Sequence, residues 1–367
     1  MRRLENRVWI GGLSLIFCCF FGVQNHVYCQ TTIQDSNFAK AIREVCPMCI
    51  DTSNRLLPAA ASLKALNVPN KNIRNLTGLE GFTGLEQLDC NSNQLTSLPE
   101  LPNNLDWLLC YRNKIGRLPR LPESLRLLNC TNNELDMLPS LPSGLVRLLC
   151  SGNKLKALSD KLPITLEVID FSHNQITQSP QLRHIPFLRF LYCSGNQLKQ
   201  LPDLPLLFTL HCANNQLKSL PELPYTLRDL NCSNNQIVSL RNLPTRCIFL
   251  NLSSNELTCL PIIPSEYLLT IRIDADKITC FPNEVGTAQV LNKEGQSIAM
   301  PPLCQESLTH ITGALAQGTY IATKSIESSA YLSEGTTEYH TSQSITLKPG
   351  FQAQTGTVFT AEIRGCN

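Results

Sequence analysis

The fold follows from one stretch of sequence, Leu85-Glu86-Gln87-Leu88-Asp89-Cys90-Asn91-Ser92-Asn93-Gln94-Leu95, and from its continuation Leu98-Pro99-Glu100-Leu101-Pro102. Its pattern of leucine, cysteine, asparagine and proline returns about 20 residues later, at Leu105, Leu108, Cys110, Asn113, Ile115, Leu118, Pro119, Leu121 and Pro122. Repeats of this length are typical of solenoids, in which each copy packs on the next one. We therefore expect an elongated domain built by stacking.

The repeat occupies the middle of the chain, from residue 63 to residue 288, with about eleven copies. One asparagine recurs in nearly every copy, at Asn93, Asn113, Asn133, Asn153, Asn174, Asn196, Asn215, Asn235 and Asn255. Leucine and cysteine alternate with other residues just before it, as a short strand requires. Stacked copies then predict a parallel sheet, with the asparagines in a column called here the asparagine ladder.

The pattern L-x-x-L-x-[LC]-x-x-N-x-L is similar to that of leucine-rich repeats, and L-P-x-L-P resembles the short bacterial subclass of secreted effectors and surface proteins. The resemblance implies an α/β-type repeat solenoid dominated by β structure, with the ladder asparagines bonded to backbone groups at the turn after each strand. So short a repeat leaves no room for an outer helix, and its proline pair favours extended backbone. We therefore expect an extended, gently curved convex side.

Residues 1–29 are typical of a signal peptide, because Arg2, Arg3 and Arg7 precede an apolar run from Val8 to Val23. We therefore expect an exported protein, secreted or held at the outer cell surface, whose mature chain has no transmembrane segment. A permanent membrane anchor is the alternative, although the apolar run is shorter than the roughly 20 residues of a spanning helix.

Two modules are expected to flank the repeats. Residues 30–62 carry Phe38, Ala41, Ile42 and Val45 at helical spacing and predict a cap over the first repeat. Residues 289–367 are poorer in leucine and richer in serine, threonine and glycine. Within them, Leu347-Lys348-Pro349-Gly350-Phe351 and the segment 356–363 resemble the all-β coathanger-stack module of proteins that use type IX-like secretion. The resemblance implies a small, non-catalytic all-β domain.

Seven cysteines occupy the inward strand position of the repeats, at Cys90, Cys110, Cys130, Cys150, Cys193, Cys212 and Cys232. Neighbouring parallel strands hold their Cβ atoms about 4.8 Å apart, beyond the usual disulfide range of about 3.5–4.5 Å, so we expect buried free thiols. Three other pairs are candidates for disulfides: Cys46–Cys49, Cys259–Cys280 and Cys304–Cys366. The alternative for Cys46-Pro47-Met48-Cys49 is a redox or metal half-site.

Neither the charge nor the motifs indicate an enzyme or a nucleic-acid-binding protein. With 31 Lys and Arg against 29 Asp and Glu, the net charge is only +2. No zinc-protease, serine-hydrolase or phosphate-loop motif occurs, so we expect no catalytic residues, cofactor or metal, and we assign Asp274 and Asp276 to solvated loops. The alternative is an effector of the ubiquitin-ligase type that selects a substrate through its repeats. Cys49-Ile50-Asp51 matches the catalytic C-x-D of that type but precedes the repeats.

The residues that alternate with the inward leucines and cysteines should face the concave side, where solenoids usually bind their ligands. Apolar, aromatic and arginine residues are concentrated there in the early and middle repeats. The predicted ligand-binding residues are Trp107, Leu109, Tyr111, Arg112, Leu127, Arg147, Leu149, Val168, Phe190 and Tyr192. Such a patch indicates a protein or glycan ligand. Packing between strands, or contact with a second copy of the chain as in a self-associating adhesion protein, is the alternative.

Overall fold

The computed structural model describes residues 31–299, apart from 241–242, 259, 261–262, 264–266, 269, 275–276 and 279–287, and then the strands between residues 305 and 363. The expected signal peptide lies outside the described residues, and so do Cys259, Cys280, Cys304 and Cys366. No helix within the described ranges is long and apolar enough to cross a membrane.

The chain begins with a helical cap. Helix α1 (Ser36–Val45) is followed by 3-10 helices at Pro47–Cys49 and Pro58–Ser62. The helix buries Phe38, Ala39, Ala41 and Ile42, which join the apolar core that runs on into the repeats. Val45, which also lies in the helix, is 41% exposed. It is the last helical residue, and the chain turns away at Cys46, so no packed surface covers it.

Asp35 joins the cap to the first repeat. Its Oδ1 accepts hydrogen bonds from the backbone amides of Asn37 (2.9 Å) and Phe38 (3.0 Å), which would otherwise be unpaired at the start of α1. Its Oδ2 accepts from the amides of Arg74 (2.8 Å) and Asn75 (3.1 Å), about 40 residues further along. This carboxylate therefore joins the helix to the solenoid, beside the Glu44–Lys71 ion pair and the buried helix side chains.

The solenoid is a twelve-stranded parallel sheet in which each strand pairs only with its neighbours in the sequence. The strands are β1 (Ala65–Asn67), β2 (Gln87–Asp89), β3 (Trp107–Leu109), β4 (Leu127–Asn129), β5 (Arg147–Leu149), β6 (Val168–Asp170), β7 (Phe190–Tyr192), β8 (Thr209–His211), β9 (Asp229–Asn231), β10 (Phe249–Asn251), β11 (Thr270–Arg272) and β12 (Gln289–Leu291). All pairs share one register, for example Leu88 opposite Leu108. The central residue of every strand is buried.

The side of the solenoid opposite the sheet is extended, as the repeat length predicted. Beyond the cap, the only helical segment among the described residues is a 3-10 turn at Leu79–Gly81. The leucines of the proline-containing segments are buried, as with Leu98, Leu101, Leu118 and Leu121. They close the core from the side opposite the strands, without a helix.

The asparagine ladder binds neighbouring repeats together through backbone groups. Asn113 donates from Nδ2 to the carbonyls of Cys110 (3.1 Å) and of Cys90 in the preceding repeat (3.1 Å). Its Oδ1 accepts from the backbone amide of Leu95 at 3.0 Å. The other ladder asparagines repeat this arrangement, and each is at most 9% exposed. Buried backbone groups at the turns, which would be costly to leave unpaired, are satisfied in this way.

A buried carboxylate bonds to the backbone next to the last described ladder asparagine, Asn255. Asp274, expected in a solvated loop, is only 8% exposed. Its Oδ1 and Oδ2 accept hydrogen bonds from the amides of Ser254 (2.9 Å) and Asn255 (3.3 Å). That expectation was wrong because Asp274 supplies acceptors to the preceding repeat, while Asp276 lies outside the described residues.

The cysteines of the strands form a buried column of free thiols, as expected from the strand spacing. Cys247 is also buried and free, at the position that leucine holds in most other repeats. In the cap, Cys46 and Cys49 form a disulfide bond with an S–S distance of 2.01 Å.

The C-terminal segment consists of strands in which all pairs are parallel. One sheet contains β13 (Gln305–Ile311), β15 (Gly318–Ser328), β17 (Thr336–Thr341), β18 (Ser344–Leu347) and β20 (Val358–Ile363). A smaller sheet contains β14 (Ala314–Leu315), β16 (Tyr331–Leu332) and β19 (Gln352–Ala353). An all-β arrangement therefore follows the solenoid.

Candidate interaction surface on the open face of the sheet

The parallel register creates one continuous surface, here called the open face. It is formed by the first and third side chains of each strand, which point away from the buried central residue. In the first column, Gln87, Trp107 and Leu127 lie opposite one another on adjacent strands. In the column formed by the third residues of the strands, Asp89, Leu109 and Asn129 lie opposite one another. Side chains about 20 residues apart in the sequence are thus neighbours on this face.

Most of the predicted ligand-binding residues belong to the open face. Eight occupy the first or third position of a strand: Trp107, Leu109, Leu127, Arg147, Leu149, Val168, Phe190 and Tyr192. Tyr111 follows β3 by two residues and is half-buried. Arg112, in contrast, lies in the turn after the strand, where its φ of 54° places it in the left-handed region. Its side chain is therefore at the margin of the face.

The predicted patch is less exposed than its composition suggests. Trp107 is 44% exposed, whereas the aliphatic members Leu109, Leu127, Leu149 and Val168 are half-buried between neighbouring strands. Phe249, which was not among the predicted residues, is 50% exposed at the first position of β10. The sequence signal that could have identified it is its place in the same column as Trp107.

Phe190 is half-buried because it packs against a second ring. Its centroid lies 6.3 Å from that of Phe208 in an edge-to-face arrangement. The guanidinium groups of Arg189 and Arg228 lie 5.6 and 5.4 Å from the Phe208 centroid. Phe190 is thus held by the sheet and presents only part of its ring to a ligand.

A polar row crosses the open face next to Phe190. Tyr192 meets the ring of His211 edge to face at 5.2 Å, and His211 Nε2 lies 3.2 Å from Asp229 Oδ2. Partial burial, together with the negative charges of Asp229 and Asp170, raises the pKa of Tyr192. The phenol therefore stays protonated at neutral pH and keeps its hydroxyl as a donor.

The later repeats form a shallow pocket on the open face. Its volume is about 230 Å³, and its lining includes His211, Asp229, Phe249, Thr270 and Arg272. The carboxylate of Asp229, the imidazole of His211, the guanidinium of Arg272 and the exposed ring of Phe249 therefore line one pocket. The sequence pattern missed the pocket because these residues come from four different strands.

In the described part of the chain, the cysteines are either buried free thiols or disulfide-bonded. Within the described ranges, no three His, Cys, Asp or Glu side chains are grouped as metal ligands. Burial raises the pKa of the Cys130 and Cys232 thiols to about 12, so they are protonated and inaccessible. Cys49, in the C-x-D match, is buried and disulfide-bonded.

Comparisons with known proteins agree with the repeat architecture. A family model described as Leucine Rich repeats (2 copies) matches residues 164–206. No curated protein sequence is significantly similar to the chain. Among solved structures, YopM, a leucine-rich effector protein of Yersinia pestis, is similar with 31% identity and a TM-score of 0.52. That match covers 57% of this chain and 66% of YopM, slightly less than two thirds of its length.

Two further structures share the fold at lower identity. The functional domain of InlJ from Listeria monocytogenes, which includes a cysteine ladder, has 20% identity and a TM-score of 0.52 over 83% of this chain and 80% of its own. The second is a chain from the octameric complex of Latrophilin 3, Unc5D and FLRT2, whose FLRT2 part is a leucine-rich repeat. It has 21% identity and a TM-score of 0.50, and the match covers 58% of this chain and 75% of that chain. The described residues 65–291 thus fold as a leucine-rich-repeat solenoid similar to those of bacterial leucine-rich-repeat proteins.

Proposed function

We propose that this chain is an exported, non-enzymatic recognition protein that binds another protein on the open face of its solenoid. The observation that carries the proposal is the pair of exposed aromatic side chains on that face, Trp107 (44%) and Phe249 (50%). They stand in one column near opposite ends of the sheet. A partner that spans the face would reach both.

The chemistry of the face favours a protein over a glycan. Between the two aromatic residues lie the aliphatic side chains of Leu127 and Val168, with Arg147 between them in the same column. Aromatic and arginine residues dominate the energetics of protein interfaces, and partly buried aliphatic residues complete an apolar contact area. Sugar hydroxyl groups would find few hydrogen-bond partners along this part of the column.

Export is supported by the basic and apolar N-terminal sequence and by the likeness to YopM, which is described as an effector protein. The alternative, a catalytic effector of the ubiquitin-ligase type, is not favoured by the site. Its candidate nucleophile Cys49 is buried and bonded to Cys46, so no thiolate is available.

The test is binding by the mature chain to a panel of purified extracellular protein domains and to a glycan array. The variant Trp107→Ala/Phe249→Ala removes both exposed rings from the open face. Its control is Met137→Ala/Val238→Ala, which removes two exposed apolar side chains, 55% and 39% exposed, that are not on a strand. We expect a protein ligand that is lost only with the first variant. Equal binding by all forms, or binding only to glycans, would contradict the proposal.

A further inference from the structure

A second surface lies at the edge of the sheet where the strands begin. The residue just before each strand forms a column along this edge, here called the pre-strand column. Its described members are Lys64, Glu86, Asp106, Arg126, Val146, Glu167, Arg189, Phe208, Arg228, Ile248 and Ala288. The backbone carbonyl of Arg189 accepts the amide of Phe208 at 2.8 Å, and that of Arg228 accepts Ile248 at 2.7 Å. Neighbouring members are therefore adjacent in space.

In the first half of the pre-strand column, charges are compensated within the chain. Lys64 Nζ lies 2.6 Å from Glu86 Oε1. Arg126 Nε lies 3.7 Å from Asp106 Oδ1. These pairs are exposed, so each contributes little to stability. They nevertheless leave no excess of positive charge at this end of the edge.

In the second half of the pre-strand column, beyond Glu167, two of the residues are arginines and none is an aspartate or glutamate. Arg189 and Arg228 stand on either side of Phe208, with their guanidinium groups over its ring. In the described part of the chain, neither side chain forms an ion pair with a carboxylate. A ring holds a guanidinium in place through cation–π attraction but does not neutralise it. Arg189 also donates from one terminal nitrogen to the backbone carbonyls of Pro186 and Leu206. Arg228 is therefore the better placed of the two to meet an anion.

Next to Arg228, the same edge forms a cleft of about 290 Å³. The described residues that line it are Arg228, Arg246, Ile248 and Tyr267, and none of these four is acidic. Arg228 and Arg246 are exposed, and the Tyr267 ring is 54% exposed. Two guanidinium groups and an aromatic ring therefore face one opening in a chain of net charge only +2.

We propose that this cleft binds an acidic segment of a partner protein. A side-chain carboxylate would accept hydrogen bonds from Arg228 and Arg246, which offer the planar donor geometry that carboxylates match. An adjacent apolar side chain of the partner would pack on Tyr267 and Ile248. Because the cleft lies at the edge and not on the open face, it is independent of the function proposed above.

The apolar half of the cleft favours a peptide over a polyanion. Nucleic acids and sulfated polysaccharides are bound mainly through many basic side chains along an extended track. Here two arginines share a compact site with Ile248 and Tyr267, the mixture of guanidinium and aromatic groups typical of protein interfaces.

The test is fluorescence anisotropy with a labelled peptide that alternates glutamate with leucine and phenylalanine, beside the same peptide with lysine in place of glutamate. The variant Arg228→Gln/Arg246→Gln is compared with the control Arg117→Gln/Arg126→Gln, which removes the same charge from exposed positions elsewhere. We expect saturable binding of the acidic peptide alone, with a Kd at least tenfold higher in the first variant and unchanged in the control. Tyr267→Ala should also weaken binding, and Tyr267→Phe should not.

Three results would overturn the proposal. The first is no saturable binding of the acidic peptide below about 1 mM. The second is equal weakening in both arginine variants, which would show attraction by net charge. The third is tighter binding of a heparin fragment that is lost with Arg228→Gln/Arg246→Gln, which would assign the cleft to acidic polysaccharides. Unchanged thermal unfolding of each variant establishes that the fold is intact.

Discussion

Each ladder asparagine serves two repeats with one side chain. Asn196 donates to the carbonyls of Phe171 (3.0 Å) and Cys193 (3.2 Å) and accepts from the amide of Ile176 at 3.0 Å. We expect Asn196→Ala to lower the free energy of unfolding by about 3 kcal/mol, because it leaves a buried amide and buried carbonyls unpaired. Urea denaturation measures this loss. The neighbouring Gln197→Ala, at an exposed position, should change stability by less than about 0.5 kcal/mol; similar losses in both variants would refute the role of the ladder.

The buried thiols make the stability of the solenoid sensitive to alkaline pH. Burial raises the pKa of Cys130 from its ordinary value of 9.0 to about 12. Between these values the unfolded chain loses the proton and the folded chain keeps it, so stability is full below pH 9 and falls as the pH rises toward 12. Each such thiol contributes at most about 1.4 kcal/mol per pH unit to the slope.

We therefore expect Cys130→Val to reduce the loss of stability between pH 8 and pH 10 relative to the unmodified chain. Phe171 and Leu252 already fill the same inward position in other repeats, so an apolar side chain fits there. Urea midpoints at the two pH values, measured under reducing conditions, give the slope. A slope that does not change would mean that this thiol is not buried in the folded chain.

Among the elements, helix α1 and the first repeat share the Asp35 carboxylate, which bonds to backbone amides of both. We expect Asp35→Ala to lower the free energy of unfolding by about 2 kcal/mol, because two caps are lost at once. Hydrogen exchange should speed up at the amides of Phe38 and Arg74 together. Asp35→Asn retains one acceptor oxygen, so it should restore protection from hydrogen exchange at the helix amide or at the first-repeat amide, but not at both. Faster exchange confined to the helix would show that the contact with the first repeat is unimportant.

The strands show how far an element follows from its sequence. Period-two alternation was enough to place Leu88 in the core and Trp107 on the open face, because a three-residue strand has only two sides. The alternation continues for one residue beyond the strand and also places Cys90 in the core. Arg112 lies at the margin of the open face because the alternation ends shortly after the strand. At the next residues the chain turns through left-handed backbone, where Asn132 and Asn214 occur in other repeats. The alternation of residue types does not show where a strand stops.

At the scale of the whole molecule, stacking determined what could be predicted. The repeat spacing fixed the order and register of the strands, since each repeat contacts only its neighbours. Exposure was harder to predict because it depends on side chains in other repeats. Phe190 is half-buried because Phe208 packs against it, whereas Phe249 remains half exposed. The His211 pocket and the Arg228 cleft likewise combine residues from several repeats, and no single copy of the repeat contains either.

Photocrosslinking of the bound partner shows directly whether recognition occurs on the open face. The crosslinker benzoylphenylalanine would be introduced at position 107, at position 249 and, as a control, at position 137. Trp107 and Phe249 are on the open face, whereas Met137 is equally exposed but lies outside the strands. If the open face binds the partner, we expect crosslinks from positions 107 and 249 and none from position 137. Crosslinks from 137 alone would contradict recognition by the open face.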